Sequence, residues 1–198
     1  MLAYRFRVTL HGVEPAIWRE IEVPPGYSLW DLHVAIQDAM GWQDYHVHMF
    51  RFQKPGSSEV VDIGIPDPDL PPGSDSTLAG WEHRISDLFP APGAVAEYDY
   101  DFGDGWQHDV SLIAVAPRAT GVKYPRCTGG ERACPPEDCG GIGGYARLLE
   151  VIFDPQHEEF ERMRTWLGGG FDPESFKPSE VRFDNPKRRW TRAFASDH

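Results

Sequence analysis

The stretch EYDYDFGDGWQHDV, residues 97–110, alternates aromatic rings with aspartates and is interrupted by Gly-Asp-Gly. A period of two is typical of a half-buried strand, and glycine next to aspartate is typical of a tight turn between two strands. The stretch therefore predicts a central β-hairpin. Its register decides which side chains meet, because a shift of one residue sends every side chain to the opposite face.

Two registers of this hairpin fit the sequence. A two-residue turn at 104–105 places Asp101 opposite His108, which would pair a carboxylate with an imidazole. A three-residue loop at 103–105 instead places Tyr100 opposite His108. The second register is favoured because it gathers apolar side chains on one face. That face holds Tyr98, Tyr100, Phe102, Trp106, His108, Val110 and Leu112, and the other holds Asp99, Asp101 and Asp109.

The residues before the hairpin predict a ββαβ opening. Residues 4–10 and 17–23 alternate in polarity, as two adjacent antiparallel strands do. Ser28 can cap a helix that follows, and Gly41 suits the left-handed residue that closes it. HVHMFRF, residues 46–52, then resumes strand character. We therefore expect an α+β fold with a mixed or antiparallel sheet and a β-grasp-like opening.

The remaining segments complete a single domain over residues 1–198. Residues 54–80 are rich in Pro, Gly, Ser and Asp, and we expect a mobile loop there. Two C-terminal helices are predicted to begin near Tyr145 and Asp154. An irregular tail is expected from about residue 170.

The composition limits the classes of function. The chain of 198 residues is 40% hydrophobic and carries a formal charge of −12, which argues against a general duplex-DNA binder. It has no apolar run long enough for a transmembrane helix, so no membrane partner is expected. The charged, alternating start predicts a strand rather than a secretion signal, and three cysteines are too few for a secreted disulfide framework. We therefore expect a cytoplasmic protein.

Five segments in order along the chain carry a family resemblance. They are IWREIEVPPGYSLWDLH, GWQDYHVHMF, YDYDFGDGWQHDV, YPRCTGGERACPPEDCGGIGGY and FDPESF. With these motifs the sequence resembles the plasmid pRiA4b ORF-3-like family, also described as a passenger protein of certain insertion elements. The resemblance implies an α+β fold and an association with plasmids and mobile elements. It implies no established reaction and no catalytic residues.

Histidines and aspartates near the hairpin form a candidate metal site. His46 and His48 are two residues apart on a predicted strand, so their rings are expected to point the same way. Together with His108 and Asp101 they would offer ligands for a divalent metal such as Zn²⁺. The alternative, which the sequence favours, is that these are ordinary polar residues at a sheet face or loop edge.

Two further groups lie between the hairpin and the first C-terminal helix. Asp104, Glu137 and Asp138 could line a polar cleft, with the prolines before Glu137 holding a carboxylate toward it. The thiols of Cys127, Cys134 and Cys139 could form a cluster, but their spacing lacks the C-x2-C knuckle of zinc ribbons. Buried thiols, or an approach of the first two in a tight loop, are the favoured interpretation.

A basic cluster stands near the end of the chain. Lys187, Arg188 and Arg189 surround Trp190, a combination that can hold phosphates beside one stacking ring. A solvated tail that offsets the acidic body is the favoured alternative.

Three functions are compatible with these residues. The first and favoured one is a non-enzymatic binding module whose partner is a protein or nucleic acid of a mobile element. The second is a metal-dependent hydrolase of phosphoester type that uses His46, His48 and His108 together with a nearby carboxylate of Asp101, Asp104 or Asp138. The third is a nucleic-acid adaptor that works through the basic cluster. No cofactor other than the divalent metal is indicated.

Overall fold

A computed structural model of the chain describes residues 1–53, 57–67, 69 and 77–194. Within these residues, eight strands join one sheet in the order β5-β4-β3-β6-β7-β1-β2-β8. The strands are β1 Leu2–Leu10, β2 Trp18–Val23, β3 His48–Gln53, β4 Val60–Gly64, β5 Leu78–Ala79, β6 Val95–Tyr100, β7 Trp106–Pro117 and β8 Arg126–Glu131. The helices are α1 Leu29–Met40, α2 Ile85–Leu88, α3 Gly141–Phe153, α4 Phe160–Trp166 and α5 Pro186–Phe194.

The sheet is mixed, and the fold is α+β as the sequence predicts. Adjacent strands are antiparallel except for β4 and β5, which are parallel. Strand β3 pairs with β4 and β6, so β6 and β7 separate it from the opening strands. The β-grasp likeness therefore stays a prediction. Among the described residues, no helix combines the length and the apolar character needed to cross a bilayer.

One face of the sheet is packed and the other is charged. Helix α1 supplies buried residues such as Leu32 and Ile36 to a core that includes Phe6 and Tyr98. Ser28 caps this helix, because its hydroxyl accepts from the Asp31 N–H and the Asp31 carboxylate accepts from the Ser28 N–H. The opposite face carries cross-strand ion pairs: Arg5 and Arg126 with Glu22, and Arg51 with Asp99.

The hairpin adopts neither predicted register. Tyr100 pairs with Trp106 and Tyr98 with His108, so five residues connect β6 to β7. The strand ends because Asp101 takes a positive φ of 54°. The predicted apolar face is correct except for Phe102, which lies in the connection between β6 and β7 and is 57% exposed.

The aspartates of the hairpin were expected on the surface, and this expectation is wrong for two of them. Asp99 is 8% exposed and Asp101 is 6% exposed. Asp99 is covered because it pairs with Arg51 on the charged face of the sheet, at 2.6 Å. Asp101 is covered because its side chain turns back over the connection.

Two irregular segments contain more regular structure than the sequence predicts. Strands β4 and β5 lie within the expected loop at 54–80, because the apolar residues that flank its polar centre pair with the sheet edge. Residues 54–56, 68 and 70–76 of this predicted loop lie outside the described residues. The tail expected to be irregular from about residue 170 contains a 3₁₀ turn at Pro178–Glu180 and the helix α5.

Candidate metal centre

Three connections converge at one end of the sheet and bring His46, Asp101 and Asp138 together. The His46 Nε2 atom lies 3.0 Å from Asp138 Oδ1 and 3.4 Å from Asp101 Oδ2. One ligand atom from each residue lies within 4.8 Å of the other two. The side chain of Asp101 is 9% exposed, that of His46 31% and that of Asp138 64%. Asp101 is thus the buried member of the group, and Asp138 is the member open to solvent.

Backbone hydrogen bonds fix the orientation of Asp101. Its Oδ1 atom accepts from the N–H groups of Gly103 and Asp104, at 3.0 and 3.2 Å. Its own N–H donates to the Val47 carbonyl at 3.0 Å, next to His46 in the chain. The Oδ2 atom faces His46. A left-handed backbone at a residue other than glycine is costly, and such strain is often stored at functional sites.

A hydrogen-bonded cluster beneath the centre links the same three connections. The Tyr100 hydroxyl donates to Glu137 Oε1 at 2.5 Å and accepts from the Tyr45 N–H at 3.1 Å. Glu137 Oε2 accepts from the Gln43 N–H at 2.9 Å. Burial first, and then the neighbouring Glu137 carboxylate, raise the pKa of Tyr100, so the phenol stays protonated and donates.

This cluster holds the residue before each candidate ligand. Tyr45 precedes His46, Tyr100 precedes Asp101, and Glu137 precedes Asp138. Groups that hold the backbone of a ligand determine how well the ligands converge. The residues predicted to line a polar cleft, Asp104, Glu137 and Asp138, therefore have different roles. Glu137 supports the centre, and Asp138 belongs to it.

Asp104 connects the centre to the start of α3. Its Oδ2 atom accepts from the Gly140 N–H at 3.1 Å. Gly141 has a φ of 66°, and a Cβ atom there would lie 2.3 Å from the Asp104 carbonyl oxygen, so only glycine fits. Within the part of the chain that the structure describes, the N-cap residue Gly140 offers no side chain to cap α3. Its first N–H groups, which carry partial positive charge, therefore lie next to the segment that contains Asp138.

His48 and His108, predicted as ligands, lie elsewhere. The strand β3 begins at His48, so His46 precedes the strand and the two rings do not share a face. His48 is 2% exposed, and His108 is fully buried and donates from Nδ1 to the Tyr98 carbonyl at 3.1 Å. Burial lowers the pKa of both histidines, that of His108 to about 3. Of the four predicted ligands, the structure brings together His46 and Asp101.

His48 belongs to a second histidine–aspartate cluster inside the protein. Its ring stacks on that of His33, with centroids 3.4 Å apart and planes at 9°. His33 Nδ1 lies 2.8 Å from the Tyr98 hydroxyl, and His33 Nε2 lies 2.8 Å from Asp44 Oδ1. The other Asp44 oxygen lies 3.3 Å from Arg189 Nη1 of α5. Both ring nitrogens of His33 and both oxygens of Asp44 therefore have partners.

The predicted basic cluster is split by the docking of α5. Arg189 also contacts Asp38 at 2.6 Å and Asp184 at 3.2 Å. Trp190 packs edge-on against Trp30, with ring centroids 5.3 Å apart. These two side chains hold α5 on the body of the protein because Arg189 meets carboxylates there and Trp190 meets rings. They do not form one exposed patch with Lys187 and Arg188.

The three cysteines are free. Burial raises the pKa of the Cys134 and Cys139 thiols to about 12, and that of Cys127 in the same direction. The His46 group is the only group of three candidate ligands among the described residues. The three thiols are not bridged, and a metal site that includes them stays a prediction.

Sequence reasoning missed several members of both clusters. Asp138 stood among the polar candidates rather than the ligands, and Tyr100 counted only as a core ring. His33 and Asp44 were not identified at all. The GWQDYHVH segment contained a usable signal, because Asp44 and His46 flank a tyrosine within three residues. Nothing in the sequence shows that these two side chains point to different clusters.

The fold and the site define an α+β protein with one mixed sheet and a candidate His–Asp–Asp metal centre. The family model described as "Plasmid pRiA4b ORF-3-like protein" matches residues 2–180, and the chain belongs to this family. It is 33% identical over 193 residues to "Uncharacterized protein y4hQ" of Sinorhizobium fredii (strain NBRC 101917 / NGR234), covering 95% of this chain and 94% of that protein.

A solved structure shares the fold. The crystal structure of MM3350, a protein of unknown function from Methanosarcina mazei Go1, is 42% identical to this chain, with a TM-score of 0.82. The match covers 92% of this chain and 98% of that one. The family match ends at residue 180, before α5, whereas all three candidate ligands lie within it.

Proposed function

We propose that this protein is a metal-dependent hydrolase of phosphoesters, with a divalent cation bound by His46, Asp101 and Asp138. The observation that carries the proposal is the approach of these three ligand atoms to within 4.8 Å of one another, from three separate connections. One imidazole and two carboxylates suit Zn²⁺ or Mn²⁺. A centre with three protein ligands leaves a coordination position for water, as catalytic zinc sites do.

The chemistry follows from the charges around the centre. A divalent cation there would lower the pKa of a water molecule and offset the charge of a phosphoryl group. Hydrolysis adds the oxygen of that water to phosphorus and breaks the P–O bond to the leaving group, which takes up a proton. Helix α3 begins three residues after Asp138, and helix N-termini favour negative charge, which supports an anionic substrate beside the Asp104 carboxylate that already accepts from the Gly140 N–H.

Charge explains why the cation would be necessary. The chain carries a formal charge of −12, and two of the three proposed ligands are carboxylates. A phosphoester would be repelled by this surface unless a cation offsets the charge. We therefore expect strict dependence on a divalent metal.

The binding module favoured by the sequence is the second candidate. The description of the family supports an association with plasmids. In this second proposal the protein acts in the cytoplasm, and its partner is a protein or nucleic acid of a mobile element. The docked positions of Arg189 and Trp190 make the adaptor hypothesis weaker, because two of its four contact residues already have internal partners. A hydrolase fits the geometry better because the carboxylate of Asp101 turns toward His46 rather than toward solvent.

Hydrolysis of p-nitrophenyl phosphate and bis-p-nitrophenyl phosphate tests the proposal, with Mg²⁺, Mn²⁺ and Zn²⁺ supplied in turn to the full-length protein. We expect metal-dependent release of nitrophenol that falls at least about 100-fold in His46→Ala and Asp101→Asn. His11→Ala is the matched control, because His11 is also a surface histidine paired with an aspartate, at 3.1 Å from Asp109. It should retain full activity. Metal binding without turnover of either ester would contradict the hydrolase and favour the binding module.

A further inference from the structure

Asp138 stands between two clefts. One has a volume of about 240 Å³ and lies against α3 and α4. The other has a volume of about 430 Å³ and lies against the connection that follows α1. Trp166, at the end of α4 and 49% exposed, lines both. A molecule held at the proposed metal centre would therefore extend along a wall made by this ring.

The walls of the smaller cleft are mainly apolar. Leu148 of α3 and Met163 and Trp166 of α4 line it, and Asp138 stands at its border with the metal centre. An engineered apolar cavity of about 150 Å³ accommodates benzene. A cleft of about 240 Å³ therefore has room for one six-membered ring with a substituent that reaches the centre.

The charge along this cleft favours one orientation of the ligand. Among the described residues, Arg162 is the only basic side chain that lines it, and Glu159 forms an ion pair with Arg162. Glu159 also pairs with Arg147 at 3.0 Å. Arg147 also pairs with Glu150 at 3.0 Å, so two carboxylates offset the two guanidinium groups. A divalent cation bound next to Asp138 would therefore have the greater capacity for an anion.

We infer that the substrates are phosphoesters of aromatic groups, with the phosphoryl group at the metal centre and the ring in the smaller cleft against Trp166. This inference rests on the proposed function and adds the class of substrate. Aromatic and sulfur contacts favour a flat ring there, because Trp166 and Met163 both line the cleft and an aromatic ring packs well against an indole and a thioether. Small aliphatic phosphoesters would leave the cleft empty and bind more weakly.

Two phosphonates, which are not hydrolysed, allow the contribution of the ring to binding to be measured apart from that of the anion. Calorimetric titration of the Mn²⁺-loaded protein with phenylphosphonate and methylphosphonate gives the preference for the ring as a ratio of Kd values. We expect phenylphosphonate to bind about 10-fold more tightly, a ratio equivalent to about 1.4 kcal/mol. Trp166→Ala should reduce the ratio to about 1 and leave the Kd of methylphosphonate unchanged. Phe153→Ala, which removes a ring that is 68% exposed at the far end of α3, is the matched control and should keep the ratio.

The outcomes distinguish this inference from the proposed function. Failure of the wild-type protein to bind Mn²⁺ would overturn the proposed function, and the inference with it. Binding of Mn²⁺ and of both phosphonates with equal Kd values would overturn the inference alone. A ratio that persists in Trp166→Ala would also overturn it, because the ring would then be recognised elsewhere.

Discussion

Two histidine–aspartate clusters lie on either side of the segment that follows α1, and they differ in how far their side chains are exposed to solvent. The inner cluster consists of His33, His48 and Asp44. Both ring nitrogens of His33 and both oxygens of Asp44 have hydrogen-bond or ion-pair partners, and α5 covers these side chains through Arg189. The outer cluster is the candidate metal centre of His46, Asp101 and Asp138, and the side chains of His46 and Asp138 are partly exposed. Asp44 and His46 are only two residues apart, yet one points inward and the other outward.

The comparison separates groups that stabilise the fold from groups available to a ligand. The side chain of Asp44 is buried, and its two oxygens already meet His33 and the guanidinium of Arg189, so neither oxygen faces solvent from which a cation could arrive. Among the described residues, His46 is the one side chain that forms a hydrogen bond with Asp138, whose side chain is 64% exposed. The same residue types therefore serve stability in the inner cluster and, in our proposal, chemistry in the outer one.

Removal of the Arg189 guanidinium tests the inner cluster and should have the largest effect. We expect Arg189→Met to lower the free energy of unfolding by about 3–5 kcal/mol, because Asp38 and Asp44 would be left buried without their cation. Arg188→Met, at the exposed neighbouring position, should stay within about 0.5 kcal/mol of the wild type. Urea unfolding measures both. Equal stability of the two variants would show that α5 is not held by these ion pairs.

Acidification tests the buried histidines. His108 has a pKa of about 3 in the folded protein because burial disfavours its charged form, and about 6.5 in the unfolded chain. Between these values the unfolded state binds more protons, so stability falls as the pH decreases. From pH 7 to pH 5 we expect His108 to account for a loss of about 2 kcal/mol.

Urea unfolding at the two pH values measures this loss. In His108→Gln the fall in stability should be smaller than in the wild type by that amount, whereas His11→Gln should behave as the wild type does, because His11 lies on the surface. An identical pH dependence in His108→Gln and the wild type would mean that His108 is not held neutral by the core.

Loss of the Tyr100 hydroxyl tests how the outer cluster is supported. We expect Tyr100→Phe to weaken metal binding about 10-fold, because supporting hydrogen bonds typically contribute that much to the affinity of a metal site. Tyr45→Phe is the control: it keeps the backbone N–H that reaches Tyr100 and loses only a hydroxyl that bonds to Gln43. Calorimetric titration with Zn²⁺ gives both affinities. Unchanged affinity in Tyr100→Phe would show that the cluster beneath the centre has no part in metal binding.

Much of the fold could be predicted because periodic patterns report burial directly. The alternation in residues 4–10 and the capping residue Ser28 depend on local physics, and strand β1 and helix α1 form where they indicate. The hairpin register failed for a local reason as well: Asp101 bonds to its own connection and ends the strand early. A side chain that competes in this way with the backbone hydrogen bonds between two strands does not alter the hydrophobic pattern of the sequence.

The site was less predictable because its members are far apart in sequence. Residues 46, 101 and 138 belong to three connections, and their approach depends on the order of the sheet. His48 and His108 carry the same side chain as His46 but lie in strands on the buried face. Residue type alone does not distinguish a buried imidazole from a ligand.

The number of Zn²⁺ or Mn²⁺ ions bound per chain, measured on tag-free protein after dialysis, tests the central claim most directly. We expect one ion per chain in the wild type and in His11→Ala, and none in His46→Ala or Asp138→Asn, all four remaining folded by circular dichroism. An absence of bound metal in the wild type, or one ion per chain in His46→Ala and Asp138→Asn, would contradict the claim that these side chains form a metal centre.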